Sequence, residues 1–346
     1  MRNPFFAFMA LIRVARNAMA TRFEIVLLGD NPVSLRAAGE EALSEIERLE
    51  SRLSVFKPQS DIARVNTRAA FEPVRVTPEV FHLLERACLL SRETEGAFDI
   101  SIAPLVRCWG FMGGTGRLPS AEEIAAARSL VGMQRVLLEP SSLTVRFERE
   151  GMMLDLGAIG KGYAIERAVE VLLEAGVSNA LLHGGTSTIY GLGRPQDVDA
   201  WRIEIPSPAQ VDFAATAIDS TPKPASPSGP APDSGQKGRP FATVTLCDAS
   251  LSVSAVWGKS FQSRGKSFGH IIDPRTGEPA INAVMSAVVL PSATETDALS
   301  TALLTLGPAG HDALAKLRPG IKTLVAATSG DGYQIRAHGI DFEPPK

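Results

Sequence analysis

Cysteine is scarce in this chain of 346 residues: three occur, Cys88, Cys108 and Cys247. They are far apart, odd in number and match no metal-ligand spacing, which excludes a disulfide framework or a zinc module. They read as three small buried side chains in a reducing compartment. No apolar run reaches the roughly eighteen residues that a membrane-spanning helix needs. Basic residues are not in excess. Lysine and arginine number 35 against 38 acids, a net charge of −3, which argues against nucleic acid or an anionic membrane as partner. The apolar run over residues 5–12 is short, follows a single arginine and has no small-residue cleavage site or lipoprotein cysteine after it. The expectation is a cytoplasmic protein. No internal repeat is present. With 45% hydrophobic and 21% charged residues, the make-up is that of a globular protein with a substantial core.

What is present alternates between strand and helix patterns. Residues 19–29 read as a strand, and 33–53 as an amphipathic helix with Leu35, Ala42, Leu43, Ile46, Leu49 and Leu53 on one face. The stretch "SVFKPQSDIARVN" reads as a polar loop. Thr77 and Pro78 open a helix that runs toward Gly96. Residues 120–131 read as a helix and 134–149 as a hairpin. A strand is expected over 152–156, a helix over 161–175 ended by Gly176, and a strand at "NALLH". Later, "HIIDPRTGEPA" reads as a strand entering a turn and "AVMSAVVL" as a strand. "TETDALSTALLTLG" reads as a helix ending at Gly307, followed by a terminal hairpin. The pattern implies mixed α/β layers, an α+β fold. Residues 206–240 differ: they hold 8 of the 24 prolines and almost no large apolar side chain. Such a segment buries too little surface to offset its ordering entropy, so a disordered insertion is expected between "WRIEI" and "FATVTL", themselves hairpin partners.

Four constellations carry candidate chemistry. "LDLGAIGKGYA" places Asp155, several glycines and Lys161 between a strand and a helix start, where backbone N–H groups and one ammonium can face an anion. It is not a P-loop: Asp155 stands where the first glycine belongs and Gly162 where a serine or threonine belongs. In "TETDALSTALL", Asp297 and Thr301 are four apart on a helix and share a face. A carboxylate and a hydroxyl suit a hard cation that keeps substrate phosphates. They equally suit a helix-end acid and a threonine bonded to its own backbone. In "GHIIDPRTG", His270 and Asp273 offer a base or merely a structured turn. "GAFDISIAPLVRCWGF" offers an acid and aromatics for a flat ring, or simply core.

Taken together and in order, these blocks resemble the ApbE family of FAD:protein FMN transferases. The resemblance covers residues 19–307, from "MATRFEI" through "SVFKPQSDIARVN", "GAFDISIAPLVRCWGF", "DLGAIGKGYAIERAVEVLLEAGVSNALLHGG" and "HIIDPRTGEPA" to "TDALSTALLTLG". It implies one catalytic domain over residues 1–346, built of two closely packed α/β subdomains. It implies FAD and Mg²⁺, with the FMN half moved to a threonine or serine of an acceptor protein as a phosphoester and AMP released. The same site with water as nucleophile would be an FAD pyrophosphatase, and a site without chemistry an FAD-binding protein. By position, Met19, Phe56, Ala97, Phe98, Asp99, Asp155, Lys161 and Ile272 match residues that contact FAD. Ala158 (through its carbonyl), Asp297 and Thr301 match metal ligands. His270 matches a histidine of the chemistry, with Asp273 the alternative base. The chain departs from the family at Ala20, which stands in a glycine position. It departs again at Thr186, where an acid is usual, and within "SVSAVWGKS".

Overall fold

The computed structural model describes residues 10–195, 199–208, 241–256, 258–263, 265–330 and 332–343. Most of the expected insertion, residues 209–240, therefore lies outside the described residues. The chain opens with a hairpin, β1 (Ala10–Ala18) and β2 (Thr21–Gly29), where a single strand over 19–29 was expected. Residues 10–12 of the N-terminal apolar run belong to β1. The hairpin was hidden because its two-residue turn, Met19–Ala20, contains neither glycine nor asparagine. Both residues nonetheless take positive φ, 50° and 57°, as a tight turn matching the strand twist requires.

Helix α1 (Pro32–Leu53) is capped by Asn31, whose side chain accepts from the amides of Val33 and Ser34. The expected polar loop contains a helix, α2 (Asp61–Arg68), with Ser60 accepting from Ala63 N. Its eight residues are too few for a clear apolar period. After β3 (Val74–Arg75) comes α3 (Pro78–Glu93). Thr77 precedes it, but its hydroxyl donates to Asp61 Oδ2 at 3.0 Å instead of capping the helix. Next are α4 (Ala103–Cys108), α5 (Ala121–Arg128), β4 (Val136–Glu139) and β5 (Thr144–Phe147). The expected strand at 152–156 is extended chain with one bridge, Met153 to Ile102, because Asn66 holds the backbone of Leu154 from both sides.

Helix α6 (Gly160–Glu174) leads to β6 (Ala180–Gly184), β7 (Thr188–Leu192) and β8 (Trp201–Ile205). Then follow β9 (Ala242–Leu246), β10 (Ala249–Ala255), β11 (Ser260–Ser263), β12 (Lys266–Gly269) and β13 (Met285–Leu290). "HIIDPRTGEPA" forms no strand. Ile272 makes one bridge to Pro279, and Asp273 organises the turn between them. Helix α7 (Ala293–Leu314) breaks from helical geometry at Gly307, ahead of Pro308, and the chain ends in β14 (Lys322–Ser329) and β15 (Gly332–His338).

One antiparallel sheet of eight strands organises the molecule, in the order β1-β2-β6-β7-β10-β13-β14-β15. Helices α1, α6 and α7 cover one face and the β8–β9 ribbon the other. Strand β13 shows why its sequence is continuously apolar. Val288 and Leu290 face the helices, whereas Met285, Ala287 and Val289 face the ribbon, so both faces are dry. A three-stranded sheet, β3-β5-β4, packs with α2 and α3 into the same core as α1. The short β11–β12 hairpin stands apart, seated by Phe261 and Phe268 on Trp109.

Relieving the left-handed alanine in the β1–β2 turn tests its geometry. Ala20→Gly is expected to raise stability by about 0.5–1 kcal/mol, the αL cost of a Cβ less the extra chain entropy of glycine. The readout is a higher urea midpoint at unchanged slope.

Candidate active site

A cavity of about 780 Å³ opens where α6 begins, α7 passes beneath β10, and the loops around residues 97–102 and 270–274 converge. That volume falls within the range for small-molecule and cofactor sites. Eleven of the residues singled out from the sequence line it: Phe56, Ala97, Phe98, Asp99, Asp155, Ala158, Lys161, His270, Ile272, Asp297 and Thr301. Met19 and Asp273 do not.

The polar end of the cavity is built where α6 and α7 touch. Gly162 permits the approach. A Cβ there would stand 2.1 Å from the carbonyl oxygen of Ala293 and 2.7 Å from Asp297 Cβ. At this distance the Gly162 amide donates to Asp297 Oδ2 at 3.0 Å. A carboxylate on α7 thus caps α6, where the helix dipole favours negative charge. The arrangement is reciprocal. Glu166 on α6 accepts from Thr294 N at 3.0 Å and from the Ser292 hydroxyl at 2.6 Å, at the start of α7. The Gly162 amide, one of the N–H groups expected to face a ligand anion, is therefore spent on Asp297.

Asp297 is 4% exposed, and its Oδ1 points toward Lys161 Nζ, 3.8 Å away. Lys161 also donates to Gly157 O at 3.0 Å. Asp155 accepts from Gly157 N at 2.8 Å; burial raises its pKa, opposed by that amide and by the Lys161 charge. Behind Asp297 runs a chain of hydroxyls that the sequence reading did not find. Ser250, Ser252 and Ser254 alternate along β10 and all face α7. Ser252 Oγ is 2.9 Å from Thr296 Oγ1 and 3.2 Å from Thr188 Oγ1, and Ser254 Oγ is 3.3 Å from Thr301 Oγ1. The alternation was visible in "SLSVSA", but serine on a strand suggests a solvent face, and only the helix above it buries Ser250 and Ser252 and half-buries Ser254.

His270 sits at the far wall. Its Nδ1 lies 3.1 Å from the carbonyl oxygen of Lys259. A carbonyl only accepts, so Nδ1 carries the proton and Nε2 keeps its lone pair. Burial, followed by the nearby lysine charges, lowers its pKa below the ordinary 6.5. Asp273, the alternative base, is engaged otherwise: it holds Arg275 through Nε at 2.9 Å and Nη2 at 2.8 Å. Its role here is to close the turn after Ile272. Asp99 borders the cavity, but both its oxygens are committed, Oδ1 to Ser101 N at 2.7 Å and Oδ2 to Met133 N at 3.0 Å. Met19 is drawn away by the hairpin turn, its amide donating to Glu50 at 2.7 Å. Phe56 stands at the rim, 70% exposed.

Ala158, Asp297 and Thr301 line the polar end and offer hard oxygens, a backbone carbonyl, a carboxylate and a hydroxyl that, as in the alternative reading, also bonds to its own helix at the Asp297 carbonyl, 3.3 Å away. Among the described residues no three His, Cys, Asp or Glu side chains group as a metal cage. A carboxylate oxygen shared with Lys161 and, at 3.5 Å, the Thr188 hydroxyl, together with neutral oxygens, suits a small hard cation that takes its remaining ligands from water and a phosphorylated substrate.

The close contact at Gly162 is open to test. Gly162→Ala is expected to cost about 1–3 kcal/mol by overpacking α6 against α7 and to displace Asp297 from the cavity. Thermal denaturation and isothermal titration with FAD would report the two effects.

The family model of the ApbE family matches residues 19–325. An FAD:protein FMN transferase of Klebsiella pneumoniae is 30% identical over 332 residues, 93% of this chain and 94% of the relative. One from Vibrio cholerae is 28% identical, over 86% and 81% of the two chains. Among solved structures, the ApbE protein of Thermotoga maritima superposes with a TM-score of 0.79 at 25% identity, over 95% of this chain and 97% of that one. The flavinyl transferase ApbE of Pseudomonas stutzeri, in its apo form, gives 0.77 at 26% identity, over 96% and 95%. The motif order, the architecture of sheet and helices and these matches agree: the chain belongs to the ApbE family.

Proposed function

We propose that this chain is a Mg²⁺-dependent FAD:protein FMN transferase. The observation that supports the reading is a single cavity lined by oxygens suited to Mg²⁺, by Lys161 and by a histidine whose Nε2 can accept a proton. The names of the relatives supply the substrate, FAD, and the protein acceptor.

In the reaction a hydroxyl oxygen of the acceptor forms a bond to the phosphorus of the FMN half. The bond from that phosphorus to the bridging oxygen of the pyrophosphate breaks, and AMP departs with the bonding pair. His270 Nε2 takes the hydroxyl proton, since an alcohol is a weak nucleophile until it is relieved of it. Lys161 offsets charge on the non-bridging oxygens. Ala158, Asp297 and Thr301 would hold Mg²⁺, which when bound adds Lewis-acid stabilisation of the same oxygens. The apolar part of the wall, with Ala97, Phe98 and Ile272, suits a flat isoalloxazine ring and excludes water that would otherwise compete as nucleophile.

The test is a denaturing gel of the protein mixed with FAD, Mg²⁺ and an acceptor domain, read for flavin fluorescence at the acceptor band. Fluorescence lost with EDTA and with Asp297→Asn supports the proposal; asparagine keeps an oxygen for the Gly162 amide and so spares the fold. AMP release with a dark acceptor band would mean hydrolysis of FAD, and no AMP at all a flavin binder. The pH dependence provides a second test. Because the pKa of His270 is lowered, its base form persists through neutrality, so the rate at saturating FAD should fall only below pH 6.5. His270→Ala should reduce the rate about 100-fold or more and remove that acid limb.

A further inference from the structure

Lys259 lines the cavity from "SVSAVWGKS", one of the segments where the chain departs from the family pattern. It lies between β10 and the β11–β12 hairpin and lines the cavity together with Gly258 and His270. Among the described residues no carboxylate pairs with it. Its carbonyl oxygen accepts twice from His270, from the backbone amide at 2.9 Å and from Nδ1 at 3.1 Å. Gly258 makes this wrap possible, since a Cβ there would stand 2.5 Å from the imidazole Cε1. The edge of the Phe111 ring closes another side of the imidazole, with centroids 6.4 Å apart. The hairpin beyond Lys259 is held by stacked Phe261 and Phe268, centroids 5.3 Å apart, so the base of the loop rests on an aromatic support.

The cavity therefore holds two lysines with different surroundings. Lys161 is tied to Asp297 and the Gly157 carbonyl, and much of its charge is already answered. Among the described residues Lys259 has no ion pair, and the carboxylate its charge reaches is Asp155. The diphosphate of FAD carries two negative charges; a bound metal ion would share its charge with the Asp297 carboxylate, and one half-neutralised lysine then leaves part of the diphosphate charge uncompensated. The structure assigns to Lys259 the role of second cation for the diphosphate of the bound dinucleotide, and through its carbonyl that of positioning residue for His270. This assignment rests on the transferase reading for its substrate. The charge of Lys259 also bears on Asp155 and, together with that of Lys161, on His270. An ammonium next to the imidazole disfavours imidazolium, so removing it moves the His270 pKa upward.

Lys259→Met and Lys259→Arg separate the two roles, because both keep the backbone carbonyl. Binding is measured first, by equilibrium dialysis with FAD and with riboflavin, which lacks phosphate, and needs no acceptor or turnover. For Lys259→Met, FAD affinity is expected to fall about tenfold or more, riboflavin affinity to stay unchanged, and arginine to restore FAD binding. In the transfer assay the acid limb of the methionine variant should move up toward 6.5, while arginine keeps it in place. Equal losses for FAD and riboflavin, or FAD affinity within about twofold of the unaltered protein, would overturn the assignment. FAD binding that depends on Lys259 without any flavin transfer would overturn the transferase reading and leave the diphosphate cation standing. An unaltered protein that binds no FAD would overturn both.

Discussion

The rest of the structure depends on the contact between α6 and α7, where each helix supplies a carboxylate that caps the other. Asp297 accepts the Gly162 amide, and Glu166 accepts the Thr294 amide. Buried helix ends without partners are costly, and a charged acceptor at an N-terminus answers both the orphan amides and the helix dipole. The geometry leaves one oxygen of Asp297 turned into the cavity. The carboxylate that suits a metal ion is thus also the group that fixes the helix beside it, and stability and site cannot be varied independently there.

From that contact the site extends along both elements. Lys161 lies one residue from the Gly162 amide and is carried to the same carboxylate. Thr301 lies one turn along α7, with Ser254 of β10 behind it. The large antiparallel sheet serves as the floor. The serines of β10 anchor α7 above it, while its aliphatic residues seal the other face against the β8–β9 ribbon. His270 belongs to a separate support, the aromatic seat of the β11–β12 hairpin, and reaches the cavity from the opposite side. Lys161 with the metal-type oxygens, and His270 with Lys259, are therefore held by different parts of the fold.

Much of this was legible in the sequence. Motifs such as "DLGAIGKGYA" and "TDALSTALL" are local: acid, glycine and lysine stand close together because one turn and one helix face require them so. The helices α1, α3 and α6 were readable from period and punctuation; spacing put Asp297 and Thr301 on one helix face, but their reading as metal ligands, with Ala158, came from the family resemblance. What escaped were features without local marks. The β1–β2 turn uses Met19 and Ala20 in a conformation that favours glycine, so nothing in the letters announces it. Helix α2 is too short to show a period.

The residue types of the candidate site, the order of the motifs and the α+β class are written locally, because helix and strand periods and turn chemistry are properties of neighbouring residues. Which candidates remain free to act depends on contacts made across the fold. Asp273 is occupied by Arg275, and Asp99 by Ser101 and Met133. Asp297 keeps one oxygen toward Lys161 and the Thr188 hydroxyl, and among the described residues no carboxylate forms an ion pair with Lys259. Those outcomes depend on what the chain brings up from far away, and a polar group's chemistry is set by the partners it meets.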